Sequence, residues 1–398
     1  MGARVYLDHA ATTPMLPDVR ETWLRQSELL GNPNSLHASG RAARRAVEEA
    51  RESIAADLDV RPSAVVFTSG GTEADNLAIK GLYWSRRDPG RPGRVLCSAV
   101  EHHAVLDPVR WLAEHEGADV VWLPVDEVGR VQLEALEQAL EHPDDVALCT
   151  VMWANNEVGT VQPVAAIGEM CRAAGVPFHT DAVQAVGHLP VHPKAVGARA
   201  ATVSGHKIGG PFGVGALLLD PRLNPTPVLH GGGQEREIRS GTLDAPGIAA
   251  FATAVHHAVT GQAARAERLA PLRDSLAKGI LDAVPGAIVN GDTGSGPAAR
   301  LPGNMHVTFP GCEGDLLLML LDAAGIDCST GSACSAGIPE PSHVLLAIGA
   351  DTAHARSSLR FSLGEASSQA DVDAVVAALP GAVDRARRAG LVAARQAG

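Results

Sequence analysis

The sequence is poor in lysine, in aromatic residues and in long apolar runs. Only four of its 398 residues are lysines, and aromatic residues make up 3%. No apolar run is longer than that of Leu316–Leu321, whereas a helix needs roughly 20 apolar residues to cross a bilayer. The formal net charge of -12 argues against binding to nucleic acid or to an anionic membrane through bulk positive charge. We therefore expect no membrane span and no direct contact with nucleic acid.

The six cysteines include no Cys-x-x-Cys pair, and six are too few for disulfide bonds to stabilise the fold of a chain of this length. The N-terminal residues, Met1–Asp8, lack the apolar core of a secretory signal. Both features predict a cytoplasmic protein. The shortage of lysine has a separate use, because a reaction that needs an amine has only four candidates: Lys80, Lys194, Lys207 and Lys278.

Short apolar runs alternate with amphipathic helical patterns over the first two thirds of the chain. The predicted strands are 64–68, 94–97, 120–123, 146–151, 177–180 and 200–203, and the predicted helices are 38–58, 73–84, 104–116, 132–141 and 163–174. Strands that are apolar on both sides and alternate with helices are typical of a mostly parallel sheet covered on both faces. This pattern predicts an α/β fold, in which ligands bind beyond the carboxyl ends of the strands.

The pattern changes near residue 244. The predicted elements are then two long helical stretches over 244–284, short strands near 286–290 and 303–309, an apolar helix over 313–324, a strand over 357–362 and closing helices over 368–395. This second part is typical of a smaller α+β domain. Within it, the small residues of 329–341 predict a mobile loop.

Two predicted strand ends carry groups that suit a phosphorylated ring compound. Val65–Glu73 has the pattern of a strand, a glycine turn and the start of a helix. The glycines let the backbone come close to a ligand, and the free N–H groups at the helix start suit a phosphate. An ordinary turn capped by Thr72 is the alternative for this motif alone. Asp181 and Gln184 follow the strand at 177–180, where the acid suits a protonated ring nitrogen and the amide a ring hydroxyl. The alternative for Asp181 is a helix cap.

Lys207 has the most unusual setting of the four lysines. It follows the strand at 200–203, between a small polar cluster and a glycine-rich stretch, whereas the other three lie in helical patterns or in a proline-flanked loop. A lysine at a strand end beside serine and histidine suits a Schiff base, and a surface turn is the alternative. A phosphate cup, an acid for a ring nitrogen and an amine for an aldehyde together meet the requirements of pyridoxal phosphate.

These motifs resemble those of the cysteine desulfurases, in the NifS/IscS-like, long-loop branch of the class V aminotransferase family. The resemblance rests on Ser204-Gly205-His206-Lys207, on Asp181 with Gln184, on Gly71-Thr72-Glu73 and on Ser332-Ala333-Cys334, and it runs from Tyr6-Leu7-Asp8 to Arg360–Gly364. It implies fold type I of the pyridoxal-phosphate enzymes. The implied division is a large cofactor-binding domain, 15–260, and a small domain, 1–14 and 261–398, that carries the loop 329–341.

The resemblance also implies a role for each matching residue. Lys207 would bind the cofactor covalently, Asp181 would pair with its ring nitrogen, and His102 would stack on the ring and assist proton transfer. Asn156 and Gln184 would contact the hydroxyl side of the ring. Thr72, Ser204 and His206 would bind the phosphate, Gly71 is a further cofactor-binding residue, and Thr242 would lie near the phosphate of a neighbouring subunit. The implied substrate-binding residues are Asn34, Asn156 and Arg360, the last holding the carboxylate of the substrate. No metal ligand is implied.

Two cysteines that are six positions apart compete for the role of sulfur carrier. Cys334 matches the persulfide cysteine of the resembled family, whereas Cys328 ends an apolar strand-like segment and is predicted to be structural. The remaining cysteines fall in predicted strands, a helix and a turn, where free cysteines behave as small hydrophobic residues. The implied reaction converts L-cysteine to L-alanine and leaves the sulfur on Cys334 as a persulfide.

The implied partners are a second copy of the chain, an iron–sulfur scaffold and other sulfur acceptors. The alternative enzymatic functions are selenocysteine lyase and another class V reaction such as transamination. A non-enzymatic sulfur-relay scaffold would leave Lys207, Asp181 and Arg360 without a purpose. A dinucleotide site lacks its glycine motif after the first strand, and a metal site on Cys312, Cys328 and Cys334 has no recognised spacing.

Overall fold

The computed structural model describes residues 4–87, 93–294, 296–331 and 341–397, the last eight by their backbone alone. Its strands, numbered in chain order, are β1 Val5–Tyr6, β2 Val65–Thr68, β3 Arg94–Ser98, β4 Asp119–Leu123, β5 Val146–Thr150, β6 Phe178–Asp181, β7 Ala200–Ser204, β8 Gly215–Leu219, β9 Ile288–Val289, β10 Asn304–Thr308, β11 Ile326–Asp327 and β12 Ser358–Ser362. Its helices are α1 Pro17–Ser27, α2 Ala38–Asp57, α3 Gly71–Arg86, α4 His103–Glu116, α5 Leu133–Ala139, α6 Val164–Ala173, α7 Ala245–Thr260, α8 Gln262–Ala283, α9 Gly314–Ala323, α10 His343–Ala347, α11 Thr352–Arg356 and α12 Gln369–Ala397.

A seven-stranded sheet of order β2-β8-β7-β6-β5-β3-β4 forms the centre of the larger body. Strands β4, β3, β5, β6 and β7 are parallel, and β8 is antiparallel to both of its neighbours. Every residue of β2, β5, β6, β7 and β8 is buried, as expected for a sheet covered by helices on both faces. The predicted α/β class with a mostly parallel sheet is therefore confirmed.

Strand β8 and helix α1 are the main elements that the sequence pattern does not predict. Strand β8 follows Gly209–Gly213, a glycine-rich stretch that indicates a long turn. Helix α1 is mostly exposed, and Val19 is its only buried residue. Its apolar periodicity is correspondingly weak, because a helix with little buried surface needs no apolar stripe.

A second body is built around three antiparallel strands in the order β12-β10-β9. Its hydrophobic core is separate from those of the large sheet and joins the N-terminal Leu7 to residues of α8, α9 and α12, with Phe309 and Phe361 among the largest buried side chains. Leu301, Val344 and Leu345 lie in the core of the large sheet instead. The predicted boundaries at 14 and 260 stay a prediction.

The two bodies meet where the parallel strands end. Asp181, the last residue of β6, pairs in register with Thr202 of β7, so both strands deliver their next residues to one edge of the sheet. The N-terminal segment reaches the same edge, because Asp8 bridges to Ser362 at the end of β12. Within the described ranges, no helix combines the length and the apolar character that a membrane crossing needs.

Candidate active site

Lys207 lies in a single turn of 3-10 helix, Gly205–Lys207, directly after β7. Its Nζ donates to the carbonyl oxygens of Ala10 and Ala11, each at 2.7 Å. Burial, with a smaller contribution from the charge of Arg360, lowers the pKa of this amine to about 8. A useful fraction is then neutral near pH 7 to 8, and only the neutral amine attacks a carbonyl carbon.

Asp181 ends β6 and is buried. Burial raises the pKa of its carboxyl group to about 6, while the Val183 N–H, which donates to Oδ1 at 2.9 Å, and the Lys207 charge act in the opposite direction. Gln184 lies one turn further on and donates to the Ala10 carbonyl at 2.9 Å. A buried carboxylate of this kind is stabilised by a cation placed against it, such as a protonated ring nitrogen.

The turn between β2 and α3 forms a cup for an anion. Gly70 has a φ of +146°, a conformation that side chains disfavour, and it precedes the first residue of the 16-residue helix α3. A Cβ added to Gly71 would lie 3.1 Å from Val183 and 3.7 Å from Ser204, so a side chain here would crowd the space beside both. Free N–H groups and the positive end of a helix dipole therefore face an open space, which suits a phosphate.

His102 caps the next helix, α4. Its Nδ1 accepts from the Ala104 N–H at 3.1 Å, so the neutral ring carries its proton on Nε2. Burial and then the charge of Lys207 lower its pKa to about 4. His102 is therefore a neutral ring near pH 7, suited to stacking and to donating a hydrogen bond. Its neighbour His103 instead contacts Asp107 at 3.1 Å, as a residue with a structural role does.

Arg360 reaches the same space from the middle of β12. Its two terminal nitrogens donate to the Asn156 carbonyl and to Asp8 Oδ1, each at 2.9 Å. Its side chain is only 5% exposed, and its Nε has no hydrogen-bond partner among the described residues. A buried guanidinium with an unused donor suits a carboxylate, which it binds with two parallel hydrogen bonds.

These groups surround one cavity of about 350 Å³. The predicted site residues that line it are Gly71, Thr72, His102, Asn156, Asp181, Gln184, Ser204, His206, Lys207 and Arg360. Residues far apart in the chain therefore meet as the motifs indicate. The groups fit pyridoxal phosphate. They are an amine with a lowered pKa, a buried carboxyl group, a helix N-terminus that begins with glycine, and a buried arginine whose Nε has no partner among the described residues.

Three predicted site residues are not part of this cavity as the structure describes it. Asn34 and Thr242 are exposed. Thr242 borders a smaller cavity of about 130 Å³ beside Gly31 and Pro33, the segment that holds Asn34. Cys334 lies outside the described residues, as does most of the predicted loop 329–341.

Several residues at the cavity escaped the sequence reasoning. Asp75 and Glu157 line the cavity, and Glu101 is buried directly before His102. Burial raises the pKa of the Asp75 and Glu101 carboxyl groups well above the usual range. His343 lines the cavity and donates through Nε2 to the Glu101 carbonyl at 2.9 Å. Asp75 follows Thr72 by one helical turn, and that spacing is a signal that could have identified it. No local pattern indicates His343, which is 242 positions from Glu101 in the chain.

The remaining cysteines are accounted for by the fold. Cys97, Cys149, Cys171, Cys312 and Cys328 are all buried. Burial, with the charges of Asp8 and Asp327, raises the pKa of Cys328 to about 12. Its thiol is therefore protonated near pH 7, and a thiol is a poor nucleophile in comparison with a thiolate.

Comparison with known proteins places these observations in a family. The profile of the Aminotransferase class-V family matches residues 5–375. An IscS-like cysteine desulfurase of Mycobacterium tuberculosis (strain ATCC 25618 / H37Rv) is 57% identical over 391 residues, which cover 98% of each chain. A NifS-like protein of known structure superposes with a TM-score of 0.87 at 34% identity, covering 96% of this chain and 100% of that one. The structure of SspA in complex with cysteine gives a TM-score of 0.78 at 34% identity, covering 90% and 98%.

Proposed function

Because the chain belongs to the class V aminotransferase family, and within it to the pyridoxal-phosphate-dependent cysteine desulfurases, we propose that it transfers the sulfur of L-cysteine to Cys334 and releases L-alanine. The observation that carries the proposal is the convergence of Lys207, Asp181 and Arg360 on one cavity. An amine for an aldehyde, an acid for a ring nitrogen and a guanidinium for a substrate carboxylate serve amino-acid chemistry on this cofactor. A sulfur scaffold without turnover needs none of them.

The residues that would hold the cofactor follow from their chemistry. Lys207 would bind its aldehyde carbon and Asp181 its ring nitrogen. Asn156 and Gln184 would contact the hydroxyl side of the ring, and His102 would lie against the ring. The phosphate would be bound by Gly71, Thr72, Ser204 and His206. When bound, the cofactor supplies a conjugated ring that withdraws electrons from the α-carbon of the substrate.

The protein side of the reaction is binding, proton handling and nucleophilic attack. Arg360 would bind the substrate carboxylate, and the Lys207 amine, whose pKa burial lowers to about 8, would carry a proton to and from the α-carbon. The Cys334 thiolate would attack the substrate sulfur, so that one S–S bond forms and the Cβ–S bond breaks. The electron pair of that bond goes to Cβ, which gains a proton. Cysteine is thereby reduced to alanine while the Cys334 sulfur is oxidised to a persulfide.

One measurement tests this function directly. After a limiting pulse of L-cysteine, alanine should appear in a one-to-one ratio with persulfide on the Cys334 peptide, as quantified by mass spectrometry. A keto acid in place of alanine would indicate transamination. Alanine release from L-selenocysteine that greatly exceeds release from L-cysteine would indicate a selenocysteine lyase.

Replacing Arg360 with lysine should raise the KM for L-cysteine by roughly 10- to 100-fold and change kcat much less. Lysine keeps the charge but cannot make two parallel hydrogen bonds to a carboxylate. Steady-state kinetics on the purified variant would measure this effect. Arg222→Lys is the matched control, because Arg222 is exposed and pairs with Asp220 away from the cavity. An unchanged KM in Arg360→Lys would remove Arg360 from the substrate site.

The rate at which cofactor-free protein takes up pyridoxal phosphate should rise with pH, with a midpoint near pH 8, and level off about one pH unit higher. Lys207 has a lowered pKa, so its reactive neutral form is scarce below pH 8 and dominant above it. An ordinary lysine would show a midpoint more than two pH units higher. Stopped-flow absorbance after mixing measures this rate. A midpoint near pH 10 would show that the amine is not perturbed.

We further propose a homodimer in which each subunit contributes to the cavity of the other. Asn34 and Thr242 are exposed, although the family motifs assign them to the site. Large apolar side chains lie exposed nearby in sequence and on the cavity rim: Leu30 is 87% exposed, Leu36 82% and Phe212 71%, the last stacked on His206. Exposed apolar groups of this size are typical of a protein interface.

The double substitution Leu30→Asp and Leu36→Asp should convert a two-chain particle to a one-chain particle and lower activity. Two buried charges without partners are costly at an interface. Light scattering after size exclusion measures the mass, and Leu281→Asp, on the exposed face of α8, is the control. A one-chain wild-type particle with full activity would contradict the shared site.

The product persulfide suits acceptors that need sulfane sulfur, and we propose an iron–sulfur scaffold among them. The sequence has six cysteines without a Cys-x-x-Cys pair, which is typical of a protein of a reducing compartment, so we propose the cytoplasm as the place of action. Sulfur transfer to a purified scaffold protein, followed through the loss of label from Cys334, tests the partner.

A further inference from the structure

The segment 332–340, which contains Cys334, follows a stretch that pairs with β12, the strand that carries Arg360. Ser329 and Arg360 exchange two backbone hydrogen bonds: the Ser329 N–H donates to the Arg360 carbonyl at 3.1 Å, and the Arg360 N–H donates to the Ser329 carbonyl at 2.6 Å. Two such bonds hold the start of the segment in register with β12.

The segment ends at a second fixed point, Ser342. The Ser342 hydroxyl accepts from the Leu345 N–H at 3.1 Å, which caps α10, and donates to Glu157 Oε2 at 2.5 Å. Both residues are 2% exposed. A buried carboxylate that loses a hydrogen-bond donor is strongly disfavoured, so this contact holds the start of α10 against Glu157.

Glu157 is itself held by the side chain that would bind substrate. Asn155 Oδ1 accepts from the N–H groups of Glu157 and Val158, each at 2.9 Å, and shapes the turn. The Arg360 guanidinium donates to the carbonyl of Asn156 at 2.9 Å, and this carbonyl belongs to the peptide that leads into Glu157. Arg360 therefore contacts one end of the segment through its backbone and the support of the other end through its side chain.

Gly331, the last described residue before the segment, lines the same cavity as Glu157. It has a φ of +89°, and a Cβ at this position would lie 3.0 Å from His306 Nε2 and 3.4 Å from Glu157 Oε2. This backbone conformation favours glycine, and a side chain here would crowd His306.

We propose that Glu157 is a positioning residue for sulfur transfer to Cys334, which holds Ser342, two residues after the segment, at a fixed place relative to Arg360. This inference rests on the proposed function. Glu157 lines the cavity but is not among the residues proposed to hold cofactor or substrate, so the inference concerns the transfer step.

The test compares Glu157→Ala, Ser342→Ala and the double variant in the intact holoenzyme. Single-turnover persulfide formation on Cys334 should slow about tenfold in each single variant. The double variant should be little slower than either single one, because both remove the same contact. The affinity for the product L-alanine, read from the change in cofactor absorbance, should stay within about twofold of wild type.

Two further variants separate positioning from general damage. Ser342→Thr keeps both the cap and the hydroxyl, and it should restore the wild-type rate. Asp351→Ala removes the cap of the adjacent helix α11, where Asp351 accepts from the His354 N–H at 2.8 Å, without touching Glu157, and it should leave the transfer rate unchanged.

Each outcome decides the matter. The inference would be overturned by wild-type transfer rates in both single variants. Additive losses in the double variant, or an equal loss in Asp351→Ala, would overturn it as well. If Glu157→Ala does not fold, Ser342→Ala and its threonine rescue carry the test alone. A wild-type enzyme that forms no persulfide on Cys334 would contradict the proposed function instead, and the two failures are thus distinct.

Discussion

Lys207→Ala should abolish the visible absorbance that pyridoxal phosphate acquires when it is bound covalently to a lysine, and should lower desulfurase activity by roughly 10³-fold or more. The loss would have two causes, since the same amine would hold the cofactor and would carry a proton to and from the substrate α-carbon. Its burial and its lowered pKa prepare it for both tasks. Absorbance spectra and alanine release measure the two effects separately.

The three other lysines provide the controls. Lys80 lies over the Trp111 ring at 4.3 Å, Lys194 is exposed, and Lys278 pairs with Asp282 on the surface of α8. Alanine at any of these positions should leave the absorbance and the activity within a few-fold of wild type. Borohydride reduction of the wild-type enzyme should attach the cofactor mass to the Lys207 peptide, and attachment to another lysine would contradict the assignment.

Cys334→Ser should keep the cofactor absorbance but lose persulfide formation, with alanine release from L-cysteine reduced by roughly 10³-fold or more. A serine hydroxyl is a far weaker nucleophile than a thiolate and cannot carry sulfane sulfur. The expected pattern differs from that of Lys207→Ala, because cofactor and substrate still bind. Mass spectrometry of the intact protein after exposure to L-cysteine measures the persulfide.

Cys328→Ser is the matched control for that substitution. Cys328 is buried and its pKa near 12 keeps it as a thiol, so its replacement should leave persulfide formation near the wild-type level. A modest loss of stability is expected, since the hydroxyl enters a mainly apolar core. Full activity in Cys334→Ser together with an inactive Cys328→Ser would reverse the assignment of the two cysteines.

Much of the site was predictable because its residues come from strand ends. Asp181 and Lys207 each follow a short apolar run, and parallel strands bring their carboxyl ends to one edge of the sheet. Glycines at 70 and 71 mark the turn in the same way. The residues that escaped prediction lie on other elements: the carbonyl groups of Ala10 and Ala11 bind Lys207, but nothing in an alanine pair indicates this contact.

The sequence by itself determined the fold class, the choice of Lys207 among four lysines and the preference for Cys334 over Cys328. Apolar periodicity and motif spacing are local properties, so they can be read along the chain. Only the tertiary structure decided the pKa shifts and the contact network of Glu157, Ser342 and Arg360. Burial and hydrogen bonding depend on which distant segments pack together, and Glu157 meets Ser342 across 185 positions of the chain. That packing lowers the pKa of the Lys207 amine and places the buried Glu157 against Ser342.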